Sequence, residues 1–113
     1  MSSAQQDKYA FAAQEDRSAH RVRLSIPATL RPAGGKRFQT VVRDLSLSGF
    51  SVTAITRIPA GTQCWLTLPG CEARQARVVW WEQGLAGCAL EQLLTPAEYD
   101  TVLTRWRSDS YPG

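Results

Sequence analysis

The sequence predicts one small all-β domain, an antiparallel barrel or sandwich of six strands, with a single helix at its C-terminal end. Three observations carry this. Short runs of alternating apolar and polar residues recur at regular intervals, turns rich in Gly and Pro separate them, and a capped helical pattern begins only at Thr95. Alternating βαβ units are not the pattern. The 113 residues, 43% hydrophobic and 20% charged, fit one domain. A chain of this length buries roughly two thirds of its unfolded surface, so its core needs neither disulfides nor a structural metal.

Residues 1–15, MSSAQQDKYAFAAQE, offer only Tyr9 and Phe11 for burial and are expected to form a mobile arm. From Val22 the pattern alternates: Val22, Leu24, Ile26 and Ala28 share one face, with Arg23, Ser25 and Thr29 on the other, which predicts a first strand. Pro32-Ala33-Gly34-Gly35 then turns the chain into a second strand over Phe38–Leu45. Ser48-Gly49 is the next break, followed by a third strand over Phe50–Ala54 and the turn Pro59-Ala60-Gly61. A fourth strand covers Gln63–Leu68. Pro69-Gly70 leads into a fifth over Cys71–Trp81, and Gln83-Gly84 into a sixth over Leu85–Glu91.

Thr95-Pro96-Ala97-Glu98 is a helix start: Thr95 caps the first N–H groups, Pro96 needs no hydrogen bond, and Glu98 reaches back to the cap. A helix over 96–107 is expected from there. Tyr99, Val102, Leu103 and Trp106 fall on one face of it and are expected to pack on the sheet, while residues 108–113 fray.

The formal charge of +3 is unevenly placed. Residues 1–43 hold eight cations against three carboxylates (+5), and the remainder holds five against seven (−2). Six of the eight early cations are arginine, the side chain suited to a bidentate grip on phosphate or on a guanine edge, so an anionic partner is the natural inference. No apolar stretch reaches the roughly 20 residues of a membrane helix, and the first twenty residues lack the apolar block of a signal peptide. The expected setting is the cytoplasm, with no membrane partner. Cys64, Cys71 and Cys88 lack Cys-x-x-Cys spacing and His20 stands alone, which argues against a metal site; the cysteines read as small hydrophobes in a reducing compartment. No nucleophile–base pair or Gly-rich phosphate loop is present, so neither catalysis nor a cofactor is expected.

Two motifs stand out once the strands are placed, Arg17-Ser18-Ala19-His20-Arg21 before the first strand and Asp44-Leu45-Ser46-Leu47-Ser48-Gly49 between the second and third. Each alone is weak. An isolated Asp-x-Ser-x-x-Gly is more often a capped turn, with Asp44 and Ser46 bonded to local backbone and Gly49 at positive φ. Together, in this order and beside this strand pattern, the chain resembles the PilZ domain family from about Asp16 to Trp106. Val78-Val79-Trp80 and the capped helix also lie where that family has them. The resemblance implies a six-stranded antiparallel barrel over residues 16–107 and, as for many members, binding of the bacterial second messenger cyclic di-GMP. It implies that Arg17 and Arg21 clasp phosphates and guanine edges, and that Asp44, Ser46 and Gly49 form the barrel-side motif that meets the base.

Residue chemistry supports those roles. A guanidinium pairs with a phosphate or with guanine O6 and N7, aspartate accepts from guanine N1–H and the N2 amine, and glycine admits a flat base close to the backbone. Trp80 is a further candidate, as an aromatic face that stacks a guanine; Trp80 and Trp81 must point to opposite faces of their strand, so one is core and the other exposed. Trp65 and Trp106 read as packing, and Arg23 as a solvated strand arginine. Asp16 stands where many members carry another arginine, which favours one bound ligand over a stacked pair. The expected mechanism is ordering of the arm over the ligand, making a surface that an effector protein reads, with the domain itself a monomeric adaptor. Motility, exopolysaccharide production, biofilm formation and virulence are outputs of the family, and nothing in the residues selects among them. Two alternatives stand beside this reading. One is a PilZ-like interaction module of pilus or motility systems that binds no nucleotide, although such modules usually lack the arginine pair. The other is a small basic barrel for single-stranded nucleic acid, against which the modest charge and acidic second half argue.

Overall fold

Alternation along β1 (Val22–Pro32) turns Val22, Leu24, Ile26, Ala28 and Leu30 inward, and the strand is long enough to pair with two neighbours. Along Val22–Leu30 it pairs with β2 (Phe38–Leu45), and from Thr29 to Pro32 it also pairs with β4 (Gln63–Thr67). That double pairing closes the sheet. With β3 (Gly49–Thr53), β5 (Arg74–Glu82) and β6 (Leu85–Leu90), the order around the barrel is β1-β2-β3-β6-β5-β4, antiparallel throughout, so no strand edge is left open. The computed structural model describes residues 22–106.

The six predicted strands and the helix are all present. β1 runs further than its alternation suggests, through Pro32, and Pro27 falls where β1 has only β2 as a partner, so the missing N–H need not interrupt a ladder. β5 starts at Arg74 instead of Cys71, because Leu68 to Cys71 close a turn around Gly70 (φ 75°) in which Cys71 N–H donates to Leu68 O at 3.0 Å. Gln83 and Gly84, both at positive φ (49° and 82°), make the tight β5–β6 hairpin.

Ile26, Leu30, Val42, Leu45, Val52, Leu66 and Val78 form the centre of the core together with Cys64. Cys64 and Cys88 are buried, as small hydrophobes should be, and the neighbouring Cys64 together with burial pushes the Cys88 thiol well above its ordinary range. Cys71 departs from that expectation: it lies exposed in the β4–β5 turn.

The helix α1 (Pro96–Trp106) begins with the predicted reciprocal cap. Glu98 N–H donates to Thr95 Oγ1 at 3.1 Å, and Thr95 N–H donates to Glu98 Oε1 at 2.9 Å. An ion pair between Arg74 and Glu98 ties the start of β5 to this first turn. Tyr99, Val102, Leu103 and Trp106 pack half-buried against the core, and the helix lies against β1. Ahead of it, the chain is fastened to the β2–β3 turn, where Leu90 N–H donates to Ser48 O and Leu94 N–H to Leu47 O, each at 2.9 Å.

Candidate functional site

A strand that alternates strictly would carry Asp44 to the same side as Val42, into the core. It does not, because the β2–β3 register shifts between Val42 and Asp44: Val42 pairs with Val52 and Asp44 with Ser51, leaving Arg43 as the extra residue. The bulge re-aims the residues after it, so Leu45 is buried while Arg43 and Asp44 both lie on the outer side. The same device acts in β5. Val78 pairs with Cys88 and Trp80 with Gly87, so Val79 is the extra residue. Val78 then stays in the core, Trp80 emerges with 39% of its surface exposed, and Trp81 returns to the core side.

Register partners therefore run as one row across five strands: Arg23, Asp44, Ser51, Gly87 and Trp80. Asp44 and Trp80 are three strand spacings apart, about 14 Å on a flat sheet. Between them the surface is floored by small residues, Ser51 and Gly87 in the row and Gly49 opposite Ala89 beside it. Ser51 Oγ–H donates to Asp44 Oδ2 at 2.7 Å, and Ser51 is 3% exposed. The Trp80 indole covers Gly87: a Cβ built there would fall among ring atoms Cε2, Nε1 and Cζ2.

The other motif residues work mainly inside the turn. Ser46 is 8% exposed, and its hydroxyl oxygen accepts the N–H of Ser48 at 3.2 Å and of Gly49 at 3.1 Å. Its own N–H donates to Gly49 O at 2.9 Å. This is the capped turn expected for Ser46, while the Asp44 carboxylate accepts from Ser51 across on β3. Gly49 is not among the glycines at positive φ. It must be glycine for another reason, since an added Cβ would stand 2.5 Å from Cys88 O of β6.

Arg17 and Arg21 lie outside the described residues. Arg23 is exposed, directly opposite Asp44 in register. Trp81, half-buried against the core, donates its indole N–H to Ala54 O at 2.8 Å. Trp106 packs as expected; Trp65 instead lies partly exposed on β4, under the guanidinium of its register partner Arg31 at 4.3 Å. Among the described residues no cluster of His, Cys, Asp or Glu has the geometry to hold a metal ion, and no helix is long and apolar enough to cross a membrane. An open groove of about 1050 Å³ lies between the β4–β5 turn, the β6–α1 segment and α1, but it holds none of the predicted site residues.

Ser51 and Gly87 join the site only in the folded chain. Gly87 carries a signal in the sequence, because a glycine inside a strand often marks a close approach. Ser51 carries none, since its partner Asp44 is seven residues away and comes opposite only through the bulge.

The model of the PilZ domain family matches residues 15–106. Among solved structures the chain is similar to one described as the crystal structure of the PilZ domain of CeSA from a cellulose-synthesizing bacterium. The two share 21% sequence identity with a TM-score of 0.57, over 76% of this chain and 94% of that one. At that identity the likeness is one of fold. No curated protein matches the chain.

Proposed function

The chain belongs to the PilZ domain family, and from that membership and the outward row of Asp44 and Trp80 we propose that it is a cyclic di-GMP receptor that acts through a partner protein. The carrying observation is the pair of bulges, which brings an acceptor suited to guanine and an aromatic surface suited to stacking onto one face. In this reading Asp44 accepts from a guanine N1–H and N2 amine, and Trp80 stacks a base across the small-residue floor. Ser46 and Gly49 hold the turn that carries Asp44. β1 begins at Val22 opposite Leu45, one residue before the Arg23–Asp44 pair, and an extended chain spans at most about 17 Å over the five residues from Arg17 to Val22. Arg17 and Arg21 then close over the ligand and grip its phosphates.

The domain works as a monomeric cytoplasmic adaptor without chemistry of its own, and Asp16 limits it to one ligand. Calorimetric titration with cyclic di-GMP tests this, with GMP and cyclic di-AMP as controls. Saturation at one ligand per chain, selective for cyclic di-GMP and weakened about 10- to 100-fold in folded Arg17→Ala, is expected. No binding at high micromolar protein would overturn the receptor reading and favour an interaction module; saturation at two would overturn the role of Asp16.

A further inference from the structure

We propose that Ser51 and Gly87 are the positioning residues of this site: Ser51 orients the Asp44 carboxylate toward the guanine edge, and Gly87 seats the Trp80 indole that a base stacks on. The proposal rests on the cyclic di-GMP reading and adds the two residues through which the face is preorganised. They are register partners across β3 and β6, at the middle of the row, with Asp44 on one side and Trp80 on the other.

Ser51 alternates with Phe50 and Val52, both in the core, so its side chain emerges on the outer face. It is nevertheless 3% exposed, and its hydroxyl proton goes to Asp44 Oδ2 at 2.7 Å. A carboxylate turns about two side-chain torsions, and a short bond to one oxygen fixes its plane. Guanine presents N1–H and N2–H side by side, so recognition requires that plane to be set. A carboxylate has about four acceptor sites, and Ser51 uses one of them. The bond therefore orients Asp44 without exhausting its capacity to accept.

Gly87 acts by having no side chain. The space a Cβ would occupy is filled by the Trp80 ring, and the bulge at Val79 sends that ring outward over β6. Any larger residue at 87 must lift the indole off the sheet. Holding both groups in place before the ligand arrives removes an ordering cost from binding.

The test is a set of double-mutant cycles read by calorimetric titration with cyclic di-GMP. Ser51→Ala is expected to weaken binding about tenfold, Ser51→Thr to restore it, and Ser51→Ala to add nothing in an Asp44→Asn background. Gly87→Ala is expected to weaken binding about tenfold and to add nothing in a Trp80→Ala background. The indole N–H resonance of Trp80, assigned by its loss in Trp80→Ala, should move in Gly87→Ala and stay in place in Ser51→Ala. If Gly87→Ala alone fails to fold, the Trp80→Ala/Gly87→Ala pair, which removes the obstructing ring, should fold and bind as Trp80→Ala does. Wild-type binding with unaffected single variants, or with losses that add in full to those of Asp44→Asn and Trp80→Ala, overturns the positioning roles alone. Absence of wild-type binding overturns the receptor reading and the positioning roles with it.

Discussion

Asp44 and Trp80 face the same side of the barrel from strands that are not neighbours, and each directly follows a bulged residue, Arg43 in β2 and Val79 in β5. Strict alternation from Val42 and from Val78, both in the core, would have sent both side chains inward. One extra residue per strand reverses that by shifting the register by one, and each strand stays paired with its neighbour before and after the shift. The candidate face is thus made by two local departures from the rule that builds the core.

The bulge at Val79 separates two adjacent tryptophans by role. Trp81→Ala should destabilise the barrel by about 3 kcal/mol, because it empties a half-buried site and leaves Ala54 O without its indole donor. Trp80→Ala should cost less, about 1 kcal/mol of stability, because its ring lies on the outer face and its removal opens no space in the core, while weakening cyclic di-GMP binding about tenfold. Urea denaturation and titration of the two variants check this together. Equal stability losses would place both rings in the core.

Most of the fold is legible in the sequence because the core-facing residues keep a period of two: Val22 to Leu30 in β1 and Leu66 with Cys64 in β4 read directly as strands. The helix is legible through Thr95 and Glu98, whose reciprocal bonds are local in sequence. The choice between Trp80 and Trp81 is not, because alternation says only that they oppose each other, and the bulge that decides between them is a property of pairing with β6. The need for glycine at position 49 has the same origin. Its partner, Cys88 O, lies 39 residues away in the chain and reaches it only through the β3–β6 ladder.

That contact makes Gly49→Ala a test of packing as well as of the motif. The methyl group would meet a backbone oxygen that cannot swing aside as a side chain can, so β3 and β6 must separate. A loss of about 1–3 kcal/mol is expected in urea denaturation. A variant as stable as the wild type would mean that β3 and β6 can part at this point without cost.

Ser46→Ala removes an oxygen that accepts two turn N–H groups, those of Ser48 and Gly49. The expected cost is about 1–2 kcal/mol, since a nearly buried turn keeps its donors but loses their partner. Amide hydrogen exchange at Ser48 and Gly49 should accelerate, with the centre of β1 unchanged. Ligand affinity should fall in step with that local opening.

Stability at low pH should depend on the helix cap. The Thr95 N–H donating to it, helped by the Arg74 guanidinium beside it, holds the Glu98 carboxyl below its ordinary value against the opposing effect of desolvation. A carboxyl held low in the folded state and released to its ordinary value in the unfolded state binds fewer protons when folded. Its contribution is therefore complete above the ordinary carboxylate range and is lost as pH falls through the lowered value. The urea midpoint of the wild type should decline between about pH 6 and about pH 3, and Glu98→Gln should flatten part of that decline by removing the titrating group. Thr95→Ala should cost about 1 kcal/mol at neutral pH, as loss of an N-cap does, and should also reduce the slope. A Glu98→Gln profile parallel to the wild type would show that the carboxylate contributes nothing to the acid limb.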